Sequence, residues 1–123
     1  GNIYCNQDKL TEVFIKSQNI TIDTVMFNPT SVKQVLSVIL HELDTNKFRG
    51  VYNLSNDGTT SHLNYCKYID DYMQTNTKIS IITQMPKVFD NYGRFLMSVN
   101  KLQKELPLNH WKVDLKEYLE CIV

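Results

Sequence analysis

Glycine is scarce in this chain, and its placement excludes a good deal of chemistry. The four glycines are Gly1, Gly50, Gly58 and Gly93. They cannot be drawn into the G-x-G-x-x-G turn that lets backbone approach a pyrophosphate. A Gly-Lys-Ser/Thr phosphate loop and a Gly-x-Ser-x-Gly nucleophile turn are missing as well. The three cysteines, Cys5, Cys66 and Cys121, are odd in number and widely spaced, which fits neither a disulfide framework nor a paired zinc site. Cys66 falls on an apolar helical stripe and reads as a core thiol; a reducing, cytoplasmic setting fits best. His41, His62 and His110 form no ligand pair, so no metal is expected. Charge of either sign is not in excess: thirteen basic residues balance thirteen acidic ones. That balance argues against a nucleic-acid partner, which would call for a basic surface. No apolar run approaches the roughly 20 residues that cross a bilayer, and no membrane partner is expected.

What is present is the patterning of one α/β domain spanning residues 1–123, with 42% hydrophobic residues and length enough for a core. Leu10, Val13, Phe14 and Ser17 recur at helical spacing, predicting a short helix over Asp8 to Ser17. Asn19 to Val25 alternates apolar with polar, the signature of a half-buried strand. Asn28-Pro29-Thr30-Ser31 breaks it, because Pro29 lacks an N–H. Ser31 with Gln34 makes a capping box. The helix that follows puts Val32, Val35, Leu36, Ile39, Leu40 and Leu43 on one face, expected to point into the core, with Lys33 and Gln34 toward solvent. His41 borders that stripe.

At the centre, Val51 to Leu54 is short, apolar and β-forming and suits an interior parallel strand. Asn56-Asp57-Gly58 is a turn in which Gly58 takes positive φ, and Thr60 or Ser61 caps the next helix. That helix is expected to turn Leu63, Cys66, Ile69, Tyr72 and Met73 inward, with Tyr65 and Tyr68 at its edges and His62 in solvent. Asp70 and Asp71 are adjacent and point to different azimuths, so they do not form an acid/base pair. A further strand is predicted over Lys78 to Thr83, a short helix from an N-cap at Ser98 through Leu102 to Leu106, and a last one anchored by Trp111. The sum is a small mixed or parallel sheet of about three strands with about five helices.

Four segments carry a resemblance. Asn28-Pro29-Thr30-Ser31-Val32 and the apolar helix after it resemble the Gly-x-Pro-Thr-x-Val segment of dTDP-4-dehydrorhamnose reductases. Gly50 to Ser61, running into Tyr65-Cys66-Lys67-Tyr68-Ile69, resembles their G-x-Y-H-L-S-N-x-G-x-x-S-W-x-E-F-A-K-x-I. Ser98 to Leu102, and Leu106-Pro107 through Trp111 to Leu119, resemble the closing S-K-L and L-P-x-W-x-x-A-L-x-x-Y-L. The matches keep family order and spacing from about Ile20 onward. Val25 and Phe27 stand where many members have Gln and Gly, and His62-Leu63 replaces an aromatic pair.

The resemblance implies the C-terminal, substrate-binding portion of an extended short-chain dehydrogenase. In that family the N-terminal part carries the glycine-rich NADPH or NADH loop and a Tyr-x-x-x-Lys pair. No tyrosine here has a Lys four residues on, so the expectation is no cofactor in this chain and no reductase activity from it alone. The partner it implies is a nucleotide sugar. Its candidate contacts are Phe27, Asn28 and Thr30 on one turn, with Asn91, Tyr92 and Arg94 on a later loop; a guanidinium matches phosphate oxygens and an aromatic ring stacks on a base or sugar. A domain built without a cofactor-binding half exposes apolar surface, which predicts self-association or a Rossmann-containing partner. The alternatives are a non-catalytic regulatory or interaction module of the same family, and part of a nucleotide-sugar epimerase or dehydratase.

Overall fold

The structure, a computed structural model, describes residues 3–4, 9–82 and 98–122. Among them are β1 (Ile3–Tyr4), α1 (Lys9–Lys16), β2 (Asn19–Ile22), β3 (Met26–Phe27), β4 (Thr30–Ser31) and α2 (Val32–Thr45). These are followed by β5 (Thr60–Ser61), α3 (His62–Met73), β6 (Lys78–Ile81), α4 (Asn100–Gln103) and α5 (Trp111–Ile122). The mixed α/β class and its five helices match the expectation. The strands, however, form three two-stranded pairs: β1 with β4 and β2 with β6, both parallel, and β3 antiparallel to β5.

The main core is gathered around α3, which packs between α1 and α5. Leu63, Tyr65, Cys66 and Ile69 meet Phe14 of α1, Ile22 and Phe27 of the strands, and Trp111, Leu115 and Leu119 of α5. Cys66 is the core thiol its position predicts. Tyr65 is not at an edge: it is 1% exposed, its hydroxyl shares a hydrogen bond with Thr11 Oγ1 at 3.0 Å, and its ring meets Phe27 and Trp111. A tyrosine can be buried whole when its hydroxyl finds a partner. Tyr72, expected inward, lies on the exposed side. A smaller cluster joins Val38 of α2 to Leu102 and Leu106, with Phe48, Tyr52, Leu54 and Leu108 packed against it.

Two expectations are overturned around α2. Its buried residues are Gln34 and Val38, whereas Val32, Leu36, Ile39, Leu40 and Leu43 are exposed, Leu43 to 77%. The helix is present, but its apolar stripe faces out. Gln34 is drawn inward because its side-chain oxygen accepts the Asn109 amide at 2.8 Å. The second concerns Val51 to Leu54, which joins no ladder among the described residues. Val51 is 86% exposed, while Tyr52 and Leu54 turn toward the Val38 cluster. The run keeps a strand's alternation without a strand partner.

Both helix caps at the junctions form as predicted. Ser31 Oγ accepts the Gln34 amide and Ser61 Oγ the Asn64 amide, each at 3.0 Å. The reciprocal arm of the Ser31 box is diverted: the Ser31 amide donates to Asn56 Oδ1 at 2.8 Å instead. Ahead of α4, Val99 rather than Ser98 holds the N-cap position. The strand predicted to begin at Lys78 ends at Ile81.

Candidate functional site

The turn from Met26 to Ser31 is clamped by the segment 56–62. β3 pairs with β5, setting Phe27 opposite Thr60. The Asn56 amide donates to Pro29 O at 3.3 Å and the His62 amide to Val25 O at 3.0 Å. Three predicted contact residues, Phe27, Asn28 and Thr30, therefore come together on one buried turn. They are 9%, 4% and 3% exposed. Phe27 lies against His62 and Tyr65, with ring centroids 4.7 and 5.4 Å away, and the Thr30 hydroxyl donates to Asn28 O. Asn91, Tyr92 and Arg94 lie outside the described residues. His62 is not the solvated residue expected; Nδ1 is 2.8 Å from Asp23 Oδ1, which also accepts the Val25 amide.

Behind the turn lies a buried polar network that sequence reasoning missed. Asp114, 3% exposed on the first turn of α5, accepts from Ser31 Oγ and Asn56 Nδ2 on one oxygen and from Asn109 Nδ2 on the other. Asn56 also donates to Asn109 O. Each buried amide or carboxyl here has partners, as such groups require. This network fastens three chain segments together and leaves nothing aimed at a ligand.

The cleft beside the junction is a second feature not anticipated. It has a volume of about 340 Å³ and is lined by Thr59 and Thr60, by Asn64, Lys67, Tyr68 and Asp71 of α3, and by His110, Trp111 and Lys112. Lys112 Nζ stands 5.9 and 5.7 Å from the ring centres of Tyr68 and Trp111. Burial, with the Glu120 carboxylate adding, raises the Tyr68 phenol above its ordinary pKa. An ammonium group beside two aromatic rings, with Lys67 also lining the cleft, suits an anion or a planar group. The residues come from two distant stretches, 59–71 and 110–112, so no local motif announces them. Among the described residues no cluster of three metal-ligating side chains occurs, and no helix is long and apolar enough to cross a membrane.

A cradle for a dinucleotide needs glycines that open space for a pyrophosphate, and the two described glycines, Gly50 and Gly58, both take positive φ. Gly58 has φ +90°, and a Cβ there would come 2.6 Å from His110 Nε2. At Gly50, φ +81°, a Cβ would meet Lys101 Nζ at 3.2 Å. Both glycines approach the chain's own side chains, so neither opens room for a pyrophosphate, and these residues do not fit an NAD(P)H site.

An α/β unit with a capped turn, a glycine junction and a closing tryptophan-anchored helix, yet no cofactor cradle at these glycines, has the fold of one part of a reductase. Solved structures it resembles include dTDP-4-dehydrorhamnose reductases. The enzyme from Clostridium acetobutylicum superposes with a TM-score of 0.83 at 17% identity, over 99% of this chain and 46% of that one. The Bacillus anthracis enzyme, solved in complex with NADP, gives 0.76 at 17% identity over 96% and 45%. The Yersinia enterocolitica enzyme gives 0.73 at 16% over 98% and 47%. The chain thus spans less than half the length of these neighbours, consistent with the C-terminal portion that its motifs resemble. No family model and no curated protein matches the sequence.

Proposed function

We propose that this chain is the nucleotide-sugar-binding portion of a dTDP-4-dehydrorhamnose reductase-like protein of deoxysugar biosynthesis, and that alone it does not reduce the sugar. The observation that carries this reading is the fold match over 99% of the chain, taken with four sequence segments in family order. The contacts we assign are Phe27, Asn28 and Thr30 at the turn and Asn91, Tyr92 and Arg94 on the later loop. NADPH or NADH is held by the remainder of the reductase architecture and not by this chain. The reading places the protein in the cytoplasm. Calorimetric titration with a dTDP-linked 4-keto-6-deoxy sugar tests it, with NADPH oxidation followed in parallel.

A second reading is favoured by one observation: Asn28 and Thr30 are almost wholly enclosed by their own fold. Residues so occupied suit a non-catalytic regulatory or interaction module that keeps the architecture without the ligand. The same titration separates the two, since a module of that kind gives no saturable heat with dTDP sugars.

A further inference from the structure

The cleft between α3 and the start of α5 carries charged side chains that the fold itself leaves unused. Along α3, Asn64, Lys67, Tyr68 and Asp71 recur at helical spacing and form one wall of it. The run 110–112, with Thr59 and Thr60, supplies the rest of the lining. Lys67, Lys112 and Asp71 are exposed, and none of the three joins an ion pair among the described residues. By contrast, Lys16 and Lys33 are held by Glu12 and Glu117, and Lys101 by two backbone carbonyls. Nδ1 of His110 accepts the Lys112 amide at 3.2 Å, which keeps that ring neutral. The charges lining the cleft are therefore two ammonium groups and one carboxylate.

We propose that this cleft is a binding site for a small sugar phosphate. None of its lining residues belongs to the turn from Met26 to Ser31, so the site does not rest on the nucleotide-sugar reading. Lys67 and Lys112 supply the point charges that a phosphate monoester takes. Lys112 Nζ lies 5.9 and 5.7 Å from the ring centres of Tyr68 and Trp111, which sets the cationic end against an aromatic wall. The half-buried Tyr68 ring offers an apolar surface to the C–H face of a sugar. Asp71 stands two turns of α3 beyond Asn64, about 10 Å along the axis. Its carboxylate accepts from sugar hydroxyls and repels a second phosphate, which selects a monoester over a diphosphate. The Asn64 amide and the Thr59 hydroxyl add neutral hydrogen-bonding groups. A volume of about 340 Å³ is at the small end of ligand clefts and suits one sugar ring better than a nucleotide.

The test is titration of the isotope-labelled chain, followed by amide NMR at low ionic strength. The probes are glucose 6-phosphate, ribose 5-phosphate, inorganic phosphate and glucose. At least one sugar phosphate should saturate a single site, shifting the amides of 64–71 and 110–112 more than those of 26–31. It should bind roughly tenfold tighter than inorganic phosphate or glucose. Lys67→Gln and Lys112→Gln should each weaken it by about tenfold. Both ammonium groups are exposed, so neither change should move the melting temperature. Asp71→Asn should narrow the gap between the sugar phosphate and inorganic phosphate. Inorganic phosphate binding as tightly as the sugar phosphates makes the cleft a plain anion site and overturns the proposal. So does glucose binding as tightly, a set of shifts centred outside the cleft, or no saturation by either sugar phosphate. None of these arms uses a nucleotide, so failure here is distinct from failure of the nucleotide-sugar role.

Discussion

The Ser31 hydroxyl donates to Asp114 Oδ2 across 83 residues of sequence, at 2.5 Å, and accepts the Gln34 amide at 3.0 Å. One small side chain thus caps α2 and ties it to the start of α5. Asn56 completes the knot by accepting the Ser31 amide and donating to the same Asp114 oxygen. The strand-turn-cap junction is therefore held by polar bonds behind it as much as by the apolar core around α3.

Removing the acceptor at the centre of that knot is expected to be costly. Asp114→Ala strands donors from Ser31, Asn56 and Asn109, at about 3 kcal/mol or more by urea unfolding. Asp114→Asn, which keeps one acceptor, should cost roughly half as much. A double-mutant cycle of Ser31→Ala with Asp114→Ala should return a coupling of about 1–2 kcal/mol; simple additivity would show that the two side chains do not act together.

Gly58 is required twice over, by its positive φ and by the His110 ring that a Cβ would strike. Gly58→Ala is expected to destabilise by roughly 2 kcal/mol. Adding His110→Ala should recover the steric part of that loss and leave the conformational part, an outcome read from paired melting curves.

The two faces of the α2 layer should respond oppositely to truncation. Leu102→Ala removes a side chain that is 1% exposed and should cost roughly 2–5 kcal/mol. Leu40→Ala removes one that is 63% exposed and should change the stability of the free chain by less than about 0.5 kcal/mol. Equal losses at the two positions would mean that the stripe is covered within the free chain.

Stability should fall on the alkaline side. The hydrogen bond to Glu117 raises the Lys33 pKa, and burial followed by the Glu120 charge raises that of Tyr68. In both cases the folded value exceeds the unfolded one. Their contribution is therefore intact below the unfolded pKa and lost as pH climbs through the folded one, a window opening near pH 10. Melting temperatures between pH 8 and 11 should decline, and Tyr68→Phe with Glu117→Gln should flatten that decline.

Much of this fold was legible in the sequence where the signal is local. The Ser31 and Ser61 caps, the positive φ of Gly58 and the run of helices follow from neighbouring residues. What was not legible is which way a periodic face points. The spacing from Val32 to Leu43 specifies an amphipathic helix equally well whether the stripe meets this chain's own core or another body. Gln34 went inward because of Asn109, 75 residues away, and no local rule announces such a partner. Val51 to Leu54 reads as a strand because its composition suits one, but a ladder needs a second strand. The site was legible only in part: the turn gathers Phe27, Asn28 and Thr30, whereas the cleft of Lys67, His110 and Lys112 is assembled from separate stretches.

The central claim is that this chain holds a nucleotide sugar without reducing it. Its most direct test is calorimetric titration of the purified chain with a dTDP-linked 4-keto-6-deoxy sugar, with NADPH present and its absorbance followed. The account predicts saturable binding of one ligand per chain with a roughly micromolar Kd, weakened about tenfold by Arg94→Ala, while NADPH is not consumed. A flat titration at millimolar ligand, or NADPH oxidation by the chain alone, would contradict it.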